Sequence, residues 1–483
     1  MAWSKASPCS WRRARTLTKP RALDLRQAVH APSLLLATLG AFAAYSFQSF
    51  SLALASLLGT ACLLAPEAGA LISLSAKPIL DCFWEYRGLV VAGHEFNLQS
   101  IVGLTVPLAL LVAFALKREL RVKTPVELAI LLYVGIVLLS CLRSPMPLGA
   151  VNAAARMILP FAFLLVGRSF SGHPKRLLIL GAFLCSYGAV PVVTGLIQLF
   201  GVIGPPEGAE PMPSGVYRIS GFYYHPLDLA VRCSIAIPFA FFLGRTLPAL
   251  GQRVAALAWS SLMGVIALAT LVRSAIAAVG FQLIALMWVA KRRTALAVSL
   301  LGLSIVFAVV PPLRMVLVHA LQPLEEGTLY ELGTGRGVLF AAQVLGFIDA
   351  SPVEKTLGRG LMSAPKVIVD YSPIPLPGLE RAFEEGRGMT SHNQILRILT
   401  DSGLLGVVAL GLLIVVIVGA CARTAREGRS TIEREFAVAA LIAIGAIGIY
   451  GLTTVPLDSP PITWPLWLMV GAVLPTPGSE PRR

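Results

Sequence analysis

The stretch Thr390-Ser391-His392-Asn393-Gln394-Ile395 runs through Asp401-Ser402-Gly403 into Leu404-Leu405-Gly406 and a long apolar tail. Residues 404–420 are long and apolar enough to cross a hydrocarbon core of about 30 Å as a helix. A histidine and an amide therefore stand at the mouth of a membrane span. Upstream, from about Leu313 to Ser391, lies a long hydrophilic segment between two parts of the chain that are otherwise almost all apolar. A reactive group at that border would meet a lipid-borne substrate on one side and a water-soluble acceptor on the other.

The composition extends this reading to the whole chain. Of its residues 56% are hydrophobic and 13% charged, where soluble domains carry about 25% charged. Apolar runs of about 17 to 24 residues recur, each long enough to span as a helix. They are continuous and rich in Leu, Ala and Val, without the in-and-out alternation of a barrel. The fold class is an all-α polytopic membrane protein. A net charge of +15 raises the question of nucleic acid, but Lys and Arg collect in short loops, so no nucleic-acid partner is expected. The cysteines Cys9, Cys62, Cys82, Cys141, Cys185, Cys233 and Cys421 are scattered; no paired spacing suggests a metal and no cluster a disulfide framework. The basic start, Lys5 to Arg26, runs into an apolar stretch that reads as a retained anchor.

Spans are predicted near 33–65, 98–116, 126–142, 150–166, 177–200, 227–243, 254–271, 275–290, 295–312, 404–420, 436–452 and 462–474. The first could instead hold a hairpin interrupted at Tyr45-Ser46-Phe47-Gln48, with part of 66–97 crossing or lying along the interface. Lys and Arg are retained on the cytoplasmic side of short loops. With the N-terminus inside, parity favours twelve spans, or fourteen with a paired extra crossing. The organisation is then a basic cytoplasmic segment 1–32, nine spans within 33–312, a periplasmic loop 313–392, three spans within 393–474 and a cytoplasmic tail 475–483. So long a loop is functional or folded in its own right. Its Pro-rich centre, Tyr371 to Gly378, reads as extended. Gly335 to Asp349 has helical spacing, with Val338, Leu339, Ala342, Leu345 and Gly346 on one side.

Four outward-facing places keep polar groups that a membrane helix would not hold without reason: Tyr217 to Asp228, Arg273-Ser274, Gly333 to Gly337, and Ser391-His392-Asn393. Arginine near hydrocarbon costs about 2.5 to 3.5 kcal/mol at a span centre, and so tends to face a cavity or a partner. Arg218, Arg273 and Arg336 with His392 suggest an anionic ligand, because guanidinium groups bind phosphate oxygens in planar pairs and keep their charge. A diphosphate ester of a membrane lipid would lie at that depth.

The order Arg218-x-Ser220-Gly221-Phe222, Arg273-Ser274, Gly335-Arg336, Leu357-Gly358-x-Gly360 and His392-Asn393, with Gly403 eleven positions on, resembles the bacterial O-antigen ligase and polymerase superfamily. The likeness covers roughly residues 150 to 450. The resemblance implies a GT-C-like bundle of about twelve helices in the bacterial inner membrane, with its site facing the periplasm. It implies metal-independent, inverting glycosyl transfer without a cofactor, from a polyprenyl-diphosphate-linked glycan to a sugar hydroxyl of a second glycan or a lipid core. His392 would act as general base, and Arg218, Arg273 and Arg336 would hold the diphosphate as it leaves. Partners would be the glycan donor and acceptor, membrane lipids and other polysaccharide assembly proteins.

Blander roles stand beside these. His392 could be an interfacial histidine bonded to a carbonyl, Arg336 the start of a loop helix, Arg218 a snorkelling loop residue and Arg273 an anchor between spans. Arg359 reads equally as turn cation or ligand, and His225, Tyr224 and Asp228 as structural. Asn393 either orients the histidine or caps the next helix. Arg156, inside a span, is functional by default or paired with a carboxylate. Rival functions are a transporter of lipid-linked glycans and a non-catalytic envelope-assembly component.

Overall fold

The computed structural model describes residues 47–83, 87–91, 94–117, 124–204, 218–223, 225–290, 336–373 and 392–474. The basic start, the span expected at 295–312, most of the Pro-rich loop centre, Tyr217, Tyr224, Ser391 and the C-terminal tail lie outside them. Among the described residues, seven helices are long and apolar enough to cross a membrane.

The chain opens with α1 (Phe47–Leu64) and α2 (Pro66–Leu80), which meet at Ala65. The run predicted at 33–65 thus ends at its expected boundary, where Pro66 suits a first helical turn and cannot continue α1. Of the alternative interruption, Phe47 and Gln48 begin α1, while Tyr45 and Ser46 lie outside the described residues. Glu67 pairs with Arg176, tying the start of α2 to the beginning of α7. The all-helical expectation has one exception. Strands β1 (Arg87–Val91) and β2 (His94–Asn97) pair antiparallel, with an irregularity between Arg87 and Leu89.

From there the hydropathy reading and the helices agree closely. α3 is Leu98–Leu116, and α4 (Pro125–Leu142) starts from a capping box in which Thr124 and Glu127 exchange hydrogen bonds. The run 150–166 becomes α5 (Pro147–Ile158), a single 3₁₀ turn at Pro160, and α6 (Ala162–Arg168). The run 177–200 becomes α7 (Pro174–Ser186) and α8 (Ala189–Leu199), with Pro191 harmless in the first turn of α8. Then come α9 (Pro226–Thr246), α10 (Leu250–Ala269) and α11 (Arg273–Val289). In the polar segment lie α12 (Arg336–Asp349), α13 (Pro352–Leu357) and α14 (Ala364–Tyr371). The chain closes with α15 (Gln394–Glu427), α16 (Thr431–Gly451) and α17 (Pro460–Val473).

The core is formed around α9 and α17, whose side chains are buried almost all round. Backbones of α6 and α17 touch: a Cβ on Gly167 would stand 2.1 Å from the Leu468 carbonyl, and one on Gly471 2.1 Å from that of Leu164. Small residues permit such approach between membrane helices. Phe163 stacks on Trp464 beside this crossing, with centroids 4.8 Å apart. On α4 and α15 the rows Leu128, Leu131, Leu138 and Leu404, Val408, Val415 stay exposed, as rows facing lipid tails would. In α12 the predicted face is formed by Val338, Leu339, Ala342 and Gly346, but Leu345 is 45% exposed and Gln343 takes the inner position. Gln343 can turn inward because its side-chain amide donates to the Leu339 carbonyl at 3.0 Å.

Candidate functional site

His392 stands at the head of a broken helix. Asn393 caps α15, accepting from the backbone N–H groups of Ile395 (2.9 Å) and Leu396 (3.0 Å), while its amide donates to the Leu452 carbonyl at 3.1 Å. The capping reading of Asn393 is thus the one its geometry bears out. His392, just before the cap, has φ +49°, an uncommon conformation for a side-chain-bearing residue. Nine residues of helix follow before Gly403, where φ 65° and ψ −163° interrupt the spiral.

An interruption leaves carbonyls without helical donors. Here a loop supplies them: Arg359 N–H donates to the Thr400 carbonyl at 2.9 Å and Gly360 N–H to that of Asp401 at 3.0 Å. The crossing is so tight that a Cβ on Gly403 would lie 2.5 Å from the Gly358 nitrogen, and one on Gly358 2.4 Å from the Asp401 carbonyl. The motif Leu357-Gly358-x-Gly360 and the eleven-residue step from His392 to Gly403 are therefore two halves of one interlock. Asp401 Oδ1 fastens it by accepting from the backbone N–H groups of Ser363 and Ala364 at 3.1 and 3.2 Å. The Ser140 hydroxyl donates to Ser402 Oγ at 2.8 Å, joining α4 to the break.

The arginines arrive from separate elements. Arg218 is placed by Gln198 at the end of α8, whose Oε1 accepts from both Ser220 and Gly221 N–H at 2.8 Å. Gly221 has φ +61° and lies against Thr194, which explains the glycine. Arg273 is the first residue of α11 and Arg336 the first of α12. His225 caps α9, its Nδ1 accepting from Leu227 N–H at 3.0 Å.

These groups converge. The charge of Arg336 reaches His392, His225 reaches it too, Arg218 and Arg336 reach His225, and Arg218 and Arg273 reach Arg336. Four helices, α9, α11, α12 and α15, thus begin around one place, and helix N-termini carry partial positive charge that favours anions. Among the described residues no carboxylate pairs with Arg218, Arg273 or Arg336. Partial burial lowers the His392 pKa, and the cations Arg336 and His225 lower it further. The imidazole is held neutral at neutral pH, which is the state a base requires. His225 is lowered by burial, then by Arg218 and Arg336.

The remaining predicted residues lie elsewhere. Arg359 is used inside the polar segment, donating to the Gly346 carbonyl at 3.0 Å and the Tyr371 hydroxyl at 3.2 Å with its guanidinium over that ring. This supports the turn-cation reading and sets it apart from the convergent arginines. Arg156 in α5 donates to Ser100 Oγ at 3.3 Å, and the carboxylate whose field reaches it is Asp458. It opens onto a cavity of about 340 Å³ with Lys77, Asp81, Asp228, Arg232 and Asp458 in its walls.

That cavity was not foreseen. Asp81 accepts from both Lys77 and Arg232, and Arg397 bonds Asp401 at 3.4 Å and also Asp458. The i,i+4 pairs Lys77/Asp81 and Arg397/Asp401 were a readable signal, since oppositely charged side chains at that spacing share a helix face. The position of Gln198 had no such signal.

Residues 258–411 match the family model described as O-antigen ligase. That interval holds Arg273, Arg336, the Gly358 loop, His392 and Gly403, but not Arg218 or His225. No curated protein matches the chain.

Proposed function

The chain belongs to the O-antigen ligase and polymerase superfamily, and on that footing we propose that it transfers a glycan from a polyprenyl diphosphate carrier to a sugar hydroxyl. What supports this reading is the meeting, at the start of four helices, of His392 and three arginines with which no carboxylate among the described residues pairs. In this mechanism Arg218, Arg273 and Arg336 hold the diphosphate of the donor. His392 accepts the proton of the acceptor hydroxyl as its oxygen attacks the anomeric carbon, and the bond to the diphosphate oxygen breaks. One displacement inverts the anomeric centre. Fixed guanidinium groups suit the charge that develops on the leaving diphosphate, since preorganised donors need not reorient as it forms. The reaction is metal-independent in this reading because that charge is met by side chains. The site faces the periplasm of the inner membrane, where lipid-linked glycans are exposed to acceptors.

The test is transfer by purified protein supplied with a lipid diphosphate glycan and candidate acceptors. His392→Ala is expected to lose more than about 10²-fold in transfer while still binding the carrier. Transfer at the wild-type rate by that variant would remove His392 from the reaction and favour a transporter or scaffold.

A further inference from the structure

We infer that the cavity beside the cluster is a binding site for a neutral sugar ring of a glycan substrate, an assignment that rests on the glycosyl-transfer reading above. Its volume of about 340 Å³ is at the small end of ligand cavities, which run from about 300 to 1,000 Å³. It opens among α2, α3, α5, α9 and the start of α17. Two of its connections lead to the cluster. Asp228, in its wall, lies in the first turn of α9 behind His225. Asp458 is bonded by Arg397, just over one turn along α15 from His392.

The chemistry of the lining selects the ligand. Three cations, Lys77, Arg156 and Arg232, face three carboxylates, Asp81, Asp228 and Asp458. A lining so balanced offers no net charge to capture a second diphosphate. It offers acceptors and donors side by side, which is what vicinal hydroxyl groups require, since each both gives and takes a hydrogen bond. One side-chain oxygen in this lining, Oδ1 of Asp458, is buried with no hydrogen-bond partner among the described residues. Buried polar atoms are seldom left so. A sugar hydroxyl donating to that oxygen would satisfy it.

The sugar could belong to the donor or the acceptor, and the test separates them. Gly103 lines the cavity, and a Cβ there meets nothing closer than Pro460 Cγ at 3.5 Å. Gly103→Leu therefore fills the space, whereas Gly103→Ala controls for folding. Full-length protein in nanodiscs is titrated with undecaprenyl diphosphate, and with the same carrier bearing one N-acetylhexosamine, and the acceptor KM is measured in transfer. If the donor sugar occupies the cavity, wild type and Gly103→Ala bind the glycosylated carrier at least about tenfold tighter than the bare one. Gly103→Leu and Arg156→Gln then lose that increment and keep the affinity for the bare carrier. If the acceptor sugar occupies it, the increment is unmoved and the acceptor KM rises at least about tenfold in both variants. Wild-type increments and KM in both variants would overturn this assignment and leave the transfer reading intact. A wild-type protein that neither binds the bare carrier nor transfers a glycan would end the transfer reading itself.

Discussion

The cluster at the head of α15 and the network around the cavity are built from the same residue types within a few helical turns, yet their charges are met in opposite ways. Around the cavity Lys77 and Arg232 share Asp81, the neighbouring Arg397 has Asp401 and Asp458, and Arg156 bonds the Ser100 hydroxyl. At the cluster, among the described residues, Arg218, Arg273 and Arg336 face one another and two histidines. Like charges held together destabilise a fold unless something else is expected there. On the proposed reading, the contrast separates a place suited to an anion from one whose lining carries as many carboxylates as cations.

The largest expected effect breaks the cavity side. Asp81→Ala leaves Lys77 and Arg232, 1% and 2% exposed, as buried charges without their shared partner, which costs about 3–5 kcal/mol. A thermal melt of the purified protein in detergent would register it, and an unchanged melting temperature would show that the pairing contributes nothing to the fold. The cluster should behave in the opposite manner: Arg336→Gln removes repulsion and is expected to leave the melting temperature level or raised.

Next in size is Gly403→Ala. A side chain at φ 65° and 2.5 Å from the Gly358 nitrogen strains the interlock by about 1–3 kcal/mol. Because His392 hangs from the arm that this interlock fixes, transfer should fall while binding of the bare carrier survives. Equal loss of both would mean that the break positions the arginines as well.

Arg336→Lys is expected to weaken binding of the bare carrier about tenfold, because an ammonium cannot make the planar double contact. Its melting temperature should not move. Near-normal carrier affinity would take Arg336 out of the diphosphate site.

The smallest effect is in pH dependence. His392 is lowered below its ordinary pKa of about 6.5, by burial first and by Arg336 and His225 after it. Transfer should therefore persist as pH falls through 6.5 and fail only at lower pH, when the imidazole protonates. In Arg336→Gln one of those cations is gone, so the acidic limb of kcat/KM should move to higher pH by a fraction of a unit. A limb that stays in place would mean that another group sets it.

How much of this was legible depends on distance along the chain. The spans were readable because hydropathy is summed over neighbours: Leu98–Leu116 and Pro125–Leu142 match their predicted ranges to within a residue. The helix at 336–349 was readable from spacing, apart from Gln343 replacing Leu345 on its inner face. The arginines and His392 could be singled out because a charge at a membrane border is costly wherever it stands. The end of the first run at 65 was readable because Pro66 and Glu67 close the apolar stretch.

By itself, then, the sequence determined a helical membrane bundle and a set of cations at the ends of its spans, because both follow from the cost of exposing polar groups to hydrocarbon. Only the tertiary structure decided which of those cations meet, why Gly358 and Gly403 must both lack side chains, that Gln198 sets Arg218, and that a balanced cavity lies alongside. Each of these joins residues distant in the chain, as when Ser140 reaches Ser402 across 262 positions. No local periodicity encodes such a meeting; it exists only once the helices have packed.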